Sequence, residues 1–174
     1  MGVLRFVWIG LAVVAILGRS ALAAPQYWDT GVGAGVQGGN GTWSTNAPNA
    51  NWSDTRAGTA LSVWTAGNDA WFVAPSNSAP STITVTDSFN VGSVTFDGSV
   101  HTLVVSNGGQ MLAGTAPSSI GTSAANNTVI VTGSGSLWGA GGQSLTIGSG
   151  SSGTNNALII NNGAVVSNGT LNVG

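Results

Sequence analysis

The stretch VIVTGSGSLWGAGGQSLTIG, residues 129–148, contains one complete unit of an internal repeat. It runs from an aliphatic strand through a turn of Gly and Ser to a short apolar pair, then through a Gly-rich corner to a strand ending in Ile147-Gly148. The same ending occurs at Ile120-Gly121 and at Val173-Gly174, at spacings of 27 and 26 residues. Aliphatic runs precede these endings too, LVVSNG at 103–108 and LIINNG at 158–163. A recurrence of this length is typical of proteins built from stacked repeats.

Each unit predicts short strands joined by sharp corners. Val, Ile, Leu and Thr suit the pleated, half-buried surface of a strand, and Gly and Asn tolerate the left-handed backbone of tight corners. Strands of about four or five residues do not form stable hairpins alone, but copies stacked about 4.8 Å apart share a continuous core. The sequence therefore predicts an all-β protein, a parallel β-helix (β-solenoid), with Ile120, Ile147 and Val173 in one column.

A β-sandwich is the alternative architecture, because it also consists of many short strands. Its turns recur about every 8–12 residues, without a longer period. The near-constant return of the Ile-Gly or Val-Gly pair favours the solenoid.

Tryptophan is concentrated in the first half of the chain, and two interpretations compete for it. In one, the rings form a packed N-terminal cap, since a bare solenoid end would expose unpaired strand edges. In the other, exposed rings stack against sugars, and the candidate glycan contacts are Trp43, Trp52 and Trp64. The cap interpretation is favoured. The tryptophans concerned are Trp28, Trp43, Trp52, Trp64 and Trp71.

The first 23 residues have the pattern of a secretory signal peptide. Arg5 precedes an apolar run at 6–17, which is shorter than the roughly 20 residues needed to span a membrane. Small residues at 21 and 23 predict cleavage before Ala24. We therefore expect a signal peptide at 1–23, a Trp-rich cap with the first β-strand repeat at 24–100, and truncated solenoid repeats at 101–174. No transmembrane helix is expected in the mature chain.

The charge content excludes several classes of function. The 174 residues include three Lys or Arg, five Asp or Glu, one His and no Cys. Nucleic-acid binding needs many cations to neutralise phosphates, so it is not expected here. Disulfides and Cys-ligated zinc are impossible without Cys.

Few residues are candidates for catalysis. His101 follows Asp97 by four residues, but no nucleophile-elbow sequence supports a triad, and His101 is predicted to be a polar residue at a strand edge. Asp87 and Asp97 are the candidates for paired carboxylates of the kind that cleave polysaccharides, although capping of turns explains them better. No catalytic residue, cofactor or metal site is predicted.

Several motifs resemble a known family. The segments GTWS at 41–44, NWS at 51–53, GNDA at 67–70 and VGSVTFDG at 91–98 are similar to the autotransporter-associated β-strand repeat. The units from Val131 onward resemble the repeats that follow it in autotransporter passenger domains. This resemblance implies a right-handed parallel β-helix displayed on, or released from, a Gram-negative surface. A complete member of the family ends in a membrane β-barrel, so the chain is expected to be either a fragment that lacks the barrel or the product of a truncated reading frame.

Together these observations predict a non-enzymatic exported surface protein, an autotransporter-type passenger with a structural or adhesive role. Its expected location is the cell surface or outer membrane, or the extracellular space. The expected partners are the secretion machinery, surface glycans or a host or neighbouring cell surface, and other copies through edge-to-edge self-association. The alternatives are a carbohydrate-binding module that uses exposed tryptophans and a polysaccharide-active β-helix fragment.

Overall fold

The structure is a computed structural model that describes residues 23–45, 50–73, 80–98 and 100–174. The regular elements in these ranges are strands, and no helix occurs among them. Apart from Ala23, the predicted signal peptide at 1–23 lies outside the described residues. The strands are β1 (Pro25–Trp28), β2 (Gly41–Trp43), β3 (Trp52–Ser53), β4 (Asp69–Phe72), β5 (Ser81–Val85), β6 (Ser88–Val91), β7 (Val94–Phe96), β8 (His101–Val105), β9 (Gln110–Ala113), β10 (Ser118–Ile120), β11 (Thr128–Thr132), β12 (Leu137–Gly139), β13 (Ser144–Ile147), β14 (Ala157–Asn161), β15 (Val165–Ser167) and β16 (Thr170–Val173).

The strands form three sheets, which we call S1, S2 and S3. Sheet S1 has the order β16-β13-β10-β7-β4-β1-β3, S2 the order β14-β11-β8-β5-β2, and S3 the order β15-β12-β9-β6. Every pair of named strands is parallel except β1 with β3. Each coil adds one strand to S2, then S3, then S1, so β5–β7, β8–β10, β11–β13 and β14–β16 are four complete coils. The predicted β-solenoid is confirmed.

Inward-facing side chains stack in columns from coil to coil. In S1, Ile120 pairs with Ile147, and Ile147 pairs with Val173, as the repeat predicts. In S2, Leu103 pairs with Val129, and both are fully buried. Because the side chains of a strand alternate between its two faces, this register places these aliphatic columns of S1 and S2 in the shared core. The inward column of S3 consists instead of larger side chains, among them Phe89, Met111 and Trp138.

Asparagine residues occupy the corners between sheets. Asn107 and Asn162 have φ values of 53° and 52°, a left-handed conformation that Asn adopts more readily than most residues. At the corner before S2, the His101 N–H donates to Asn127 Oδ1 at 3.0 Å, and the Asn127 N–H donates to Asn156 Oδ1 at 2.9 Å. These bonds connect three successive coils, so side chains continue the ladder where the backbone turns.

The N-terminal end of the stack is filled by aromatic rings. Trp28, Trp43 and Trp52 are at most 1% exposed, and the Trp28 and Trp52 rings meet edge to face at 5.3 Å. Strand β3 pairs with β1 in the antiparallel direction and ends sheet S1 on this side. The predicted Trp-rich cap is therefore present, and Trp28, Trp43 and Trp52 form part of the core of that end.

The last coil of the described chain exposes apolar side chains. Ile160 is 48% exposed and Val173 is 72% exposed, although their counterparts Val131 and Ile147 in the preceding coil are buried. Edge-to-edge self-association through this coil stays a prediction.

The division of the chain at residues 100 and 101 also stays a prediction, and the S2 ladder continues across it because β5 pairs with β8. Within the described ranges, no helix has the length and apolar character needed to cross a membrane.

Candidate functional site

The three tryptophans predicted as glycan contacts lie together but differ in exposure. The rings of Trp43 and Trp52 are 4.7 Å apart, and each residue is 1% exposed. Trp64 packs against them at 4.8 Å and 4.7 Å yet remains half-buried. The rings of Trp43 and Trp52 therefore offer no open face to a ligand, and of the three only Trp64 reaches the surface.

A groove with a volume of about 450 Å³ opens beside Trp64. This volume lies within the range of about 300–1,000 Å³ that small-molecule sites occupy. One part of its lining is apolar and comes from Val63, Trp64 and Ala66, and Val63 is 57% exposed. The other part is mostly polar and comes from Ser44, Thr45, Ser88, Phe89 and Asn90.

Among the strands of the described residues, β6 is the last of sheet S3, so the β6 side of the groove is a strand edge within that part of the chain. The Asp87 carbonyl accepts a hydrogen bond from the Gln110 N–H of β9 at 2.8 Å. Successive residues of a strand direct their backbone groups to opposite sides. The backbone N–H and C=O groups of Ser88 and Asn90 therefore point away from β9, toward the groove side.

The chain before β4 covers the far part of this edge. The Asn90 carbonyl accepts from the Gly67 N–H at 2.9 Å, and the Gly92 N–H donates to the Asn68 carbonyl at 2.7 Å. The Trp64 indole N–H also donates to the Asn90 carbonyl, at 3.3 Å. The edge that faces the groove is thus confined to Ser88 and the Asn90 N–H, and the Trp64 ring is held by its own hydrogen bond.

Asp87 fixes the segment that completes the groove. Its Oδ2 accepts from the Thr45 N–H at 2.8 Å, the Thr45 hydroxyl at 2.9 Å and the Ser44 hydroxyl at 3.1 Å. The Thr45 backbone N–H, with these hydroxyls, lowers the pKa of Asp87 below its usual value. The Asp87 carboxylate is therefore charged at neutral pH and acts as a loop anchor.

Asp97, the second candidate carboxylate, has a different set of partners. It pairs with Arg56 at 2.7 Å, and this hydrogen bond raises the pKa of the guanidinium. The guanidinium lies 5.5 Å from the Tyr27 ring centroid and 5.6 Å from the Trp71 ring centroid. Asp97 thus belongs to an aromatic and cationic cluster beside S1, whereas Asp87 lies outside the groove lining and anchors Ser44 and Thr45, which are part of it.

His101 begins strand β8, and it is buried in the core. Its Nδ1 lies 2.5 Å from the Ser81 hydroxyl, and the two residues are 1% and 2% exposed. Burial lowers the pKa of His101 to about 4, because the charged imidazolium would lose its hydration. A substrate cannot reach this Ser–His pair, so its role is in packing.

No three His, Asp or Glu side chains in the described part of the chain lie close enough to hold a metal ion. The glycan contact predicted for Trp64 stays a prediction, and no prediction was made from the sequence for Ser88 and Asn90, which line the same groove. The single signal available was that β6, SFNV, alternates exposed and buried residues. That alternation does not show which strand ends a sheet.

The fold and the groove define a class of protein, a parallel β-solenoid with a Trp-filled end and a surface groove beside that end. No family model matches the chain, and no solved structure matches it. The chain is similar to the "Adhesin BmaC autotransporter" of Brucella suis biovar 1 (strain 1330), with 29% identity over 162 residues. The match covers 91% of this chain and 4% of that protein's length. The chain is thus a β-solenoid similar to a small part of an autotransporter adhesin.

Proposed function

We propose that this protein is exported and acts as a non-enzymatic, adhesive β-helix passenger at the surface of a Gram-negative bacterium. The observation that carries the proposal is a four-coil parallel ladder in a chain that is similar, over 91% of its length, to an adhesin autotransporter. The first 23 residues, with the pattern of a signal peptide, support export.

The physical character of the ladder fits a surface role. Parallel pairing satisfies the backbone within the stack, and the aliphatic columns bury one face of every coil. Such a rod holds a binding surface at a fixed distance and orientation without disulfides, which this chain cannot form. The buried Ser–His pair and the separately bonded Asp87 and Asp97 supply no assembled catalytic group.

Export is tested by producing the full chain in a Gram-negative laboratory strain and sequencing the N-terminus of the product. The expected result is a mature protein that begins at Ala24 and is found outside the cytoplasm. A chain that keeps Met1 and stays in the cytoplasm would contradict the proposal.

Adhesion is tested with beads that carry the purified protein, applied to cultured epithelial cells and to bacterial cells. We expect the beads to bind at least one of these surfaces above the level of beads that carry heat-denatured protein. Equal binding by native and denatured protein on every surface would refute the adhesive role.

Two further functions remain as alternatives to this proposal. A carbohydrate-binding module is favoured by one observation, the groove beside Trp64. A polysaccharide-active fragment would depend on Asp87 and Asp97, and it predicts release of reducing sugar that is lost in Asp87→Asn and Asp97→Asn variants.

A further inference from the structure

We infer that the groove beside Trp64 is a binding site for one ring of a neutral sugar, through which the protein recognises surface glycans. This inference rests on the proposed adhesive function, because it names the partner that adhesion would use. It depends on the shape and chemistry of the groove and on the short free edge of β6.

The lining of the groove has an apolar part and a polar part, and a sugar ring likewise has an apolar face and polar hydroxyls. A pyranose has an apolar face of C–H groups and a rim of hydroxyls. Trp64, Val63 and Ala66 offer the apolar contact, and an aromatic ring suits such a face. Ser88 and Asn90 are exposed and supply hydroxyl and amide groups for the rim.

The Trp64 ring is already oriented for such a contact. Its indole N–H donates to the Asn90 carbonyl at 3.3 Å, and its ring packs against buried Trp43 and Trp52. A ring that is fixed before the ligand arrives loses little conformational entropy on binding. The half-buried state of Trp64 therefore suits a stacking platform.

The free edge of β6 is too short for a peptide strand. Strand addition gains affinity from a row of backbone hydrogen bonds. Here Gly67 and Asn68 occupy the edge from the Asn90 carbonyl to the Gly92 N–H, which leaves Ser88 and the Asn90 N–H without a backbone partner among the residues that the structure describes. These few donors and acceptors suit the hydroxyls of one compact ring.

The charges around the groove select against acidic sugars. None of the eight lining residues is ionisable. Asp87 anchors Ser44 and Thr45, and its lowered pKa keeps the carboxylate charged at neutral pH. The one Arg in the described chain, Arg56, is paired with Asp97 and is not part of the lining. A uronate or sialic acid would meet a negative charge without a compensating cation.

The test uses the full exported chain and the methyl glycosides of glucose, galactose, mannose and N-acetylglucosamine, with glucuronate and galacturonate as the acidic counterparts. Binding is followed by saturation-transfer NMR and by tryptophan fluorescence. We expect at least one neutral sugar to bind with a dissociation constant on the order of 1 mM, which corresponds to a binding free energy of about −4 kcal/mol. The acidic sugars should bind at least about tenfold more weakly.

Two variants locate the site. Ala66→Phe fills the groove from an exposed position, so it should preserve the fold and weaken sugar binding by at least about tenfold. Trp64→Ala should also abolish binding, and its circular dichroism shows whether the fold is retained. The matched control is Trp71→Ala, which removes a half-buried tryptophan outside the groove lining and should leave affinity within about twofold.

Three outcomes would overturn the inference: no sugar of the panel binds, binding persists in Ala66→Phe, or the uronates bind as tightly as the neutral sugars. The bead assay separates this failure from failure of the adhesive role. If beads that carry the Ala66→Phe protein adhere as well as beads that carry the parent, the adhesive function stands. The groove is then excluded as the site of adhesion.

Discussion

The N-terminal end of the stack and the later coils both have a buried core, but different side chains fill it. From Trp28 to Phe96 the core contains six aromatic rings among its aliphatic residues, and neighbouring rings meet at centroid distances of 4.7–6.4 Å. From Leu103 onward it is filled mainly by stacked Val, Leu and Ile. In the regular coils, similar side chains stack in register from one coil to the next. Within the described residues, sheet S3 begins at β6, and the large rings lie at the end of the stack where S1 and S2 extend beyond it.

The distribution of charge follows the same division. No Asp, Glu, Lys or Arg follows Asp97 in the sequence. The earlier charged residues bond irregular segments together, as Asp87 does for Thr45 and Asp54 does for Gln26. The later corners use Asn and Gly, because every coil turns in nearly the same way. The irregular N-terminal segments are thus held by individual contacts of charged side chains. The corners of the regular coils are formed by the same uncharged residue types, Asn and Gly, in each coil.

The largest expected effect separates the aromatic core from the aromatic surface. Trp28 is fully buried, so Trp28→Ala should lower the free energy of unfolding by about 3–5 kcal/mol. The matched control Trp71→Ala removes a ring on the outer side of β4 and should cost about 1 kcal/mol or less, mainly its contact with Arg56. Urea unfolding followed by far-UV circular dichroism measures both. Equal losses would show that the end is not held by its buried rings.

A smaller effect should appear at His101, where the aromatic end meets the regular coils. Its pKa is about 4 in the fold, against 6.5 in the unfolded chain. Between these pH values the His101 imidazole is protonated in the unfolded chain and neutral in the folded chain. The free energy of unfolding therefore falls as the pH drops from about 6.5 toward 4. The loss between pH 7 and pH 4.5 should be about 2 kcal/mol.

The control for this effect is His101→Asn, which removes the titrating group and keeps a polar partner for Ser81. Urea midpoints at the two pH values should differ less in this variant than in the parent. An identical pH dependence would assign the acid sensitivity to other groups.

The smallest effect should come from the one ion pair of the described residues, Arg56 with Asp97. The two side chains are 56% and 38% exposed, so solvent screens their attraction. Asp97→Asn should lower stability by about 1 kcal/mol or less, and added salt should reduce the difference. If Asp97→Asn lowered the free energy of unfolding as much as Trp28→Ala does, the ion pair and not only the aromatic rings would stabilise the N-terminal end.

Much of the fold could be predicted from local pattern. The recurring Ile-Gly and Val-Gly pairs predicted the column of Ile120, Ile147 and Val173, because identical positions in successive coils must stack. The candidate site was only partly predictable. A tryptophan followed by a polar residue has the same local sequence whether its ring is buried or exposed, so Trp43 and Trp64 could not be distinguished. His101 was expected to be a polar residue at a strand edge, and it lies at the start of β8, buried in the core near Phe72 and Phe96.

The sequence by itself determined the composition of the strands, the period of the coils and the neutral corners, since these depend on side-chain preferences repeated along the chain. Only the tertiary structure decided which strand ends S3, which tryptophan faces solvent and which loop Asp87 anchors. Those features depend on contacts between residues far apart in the chain, such as Thr45 with Asp87 and Gly67 with Asn90. Each of these contacts occurs once, so it produces no repeating pattern in the sequence. The groove beside Trp64 could therefore be identified only from the tertiary structure.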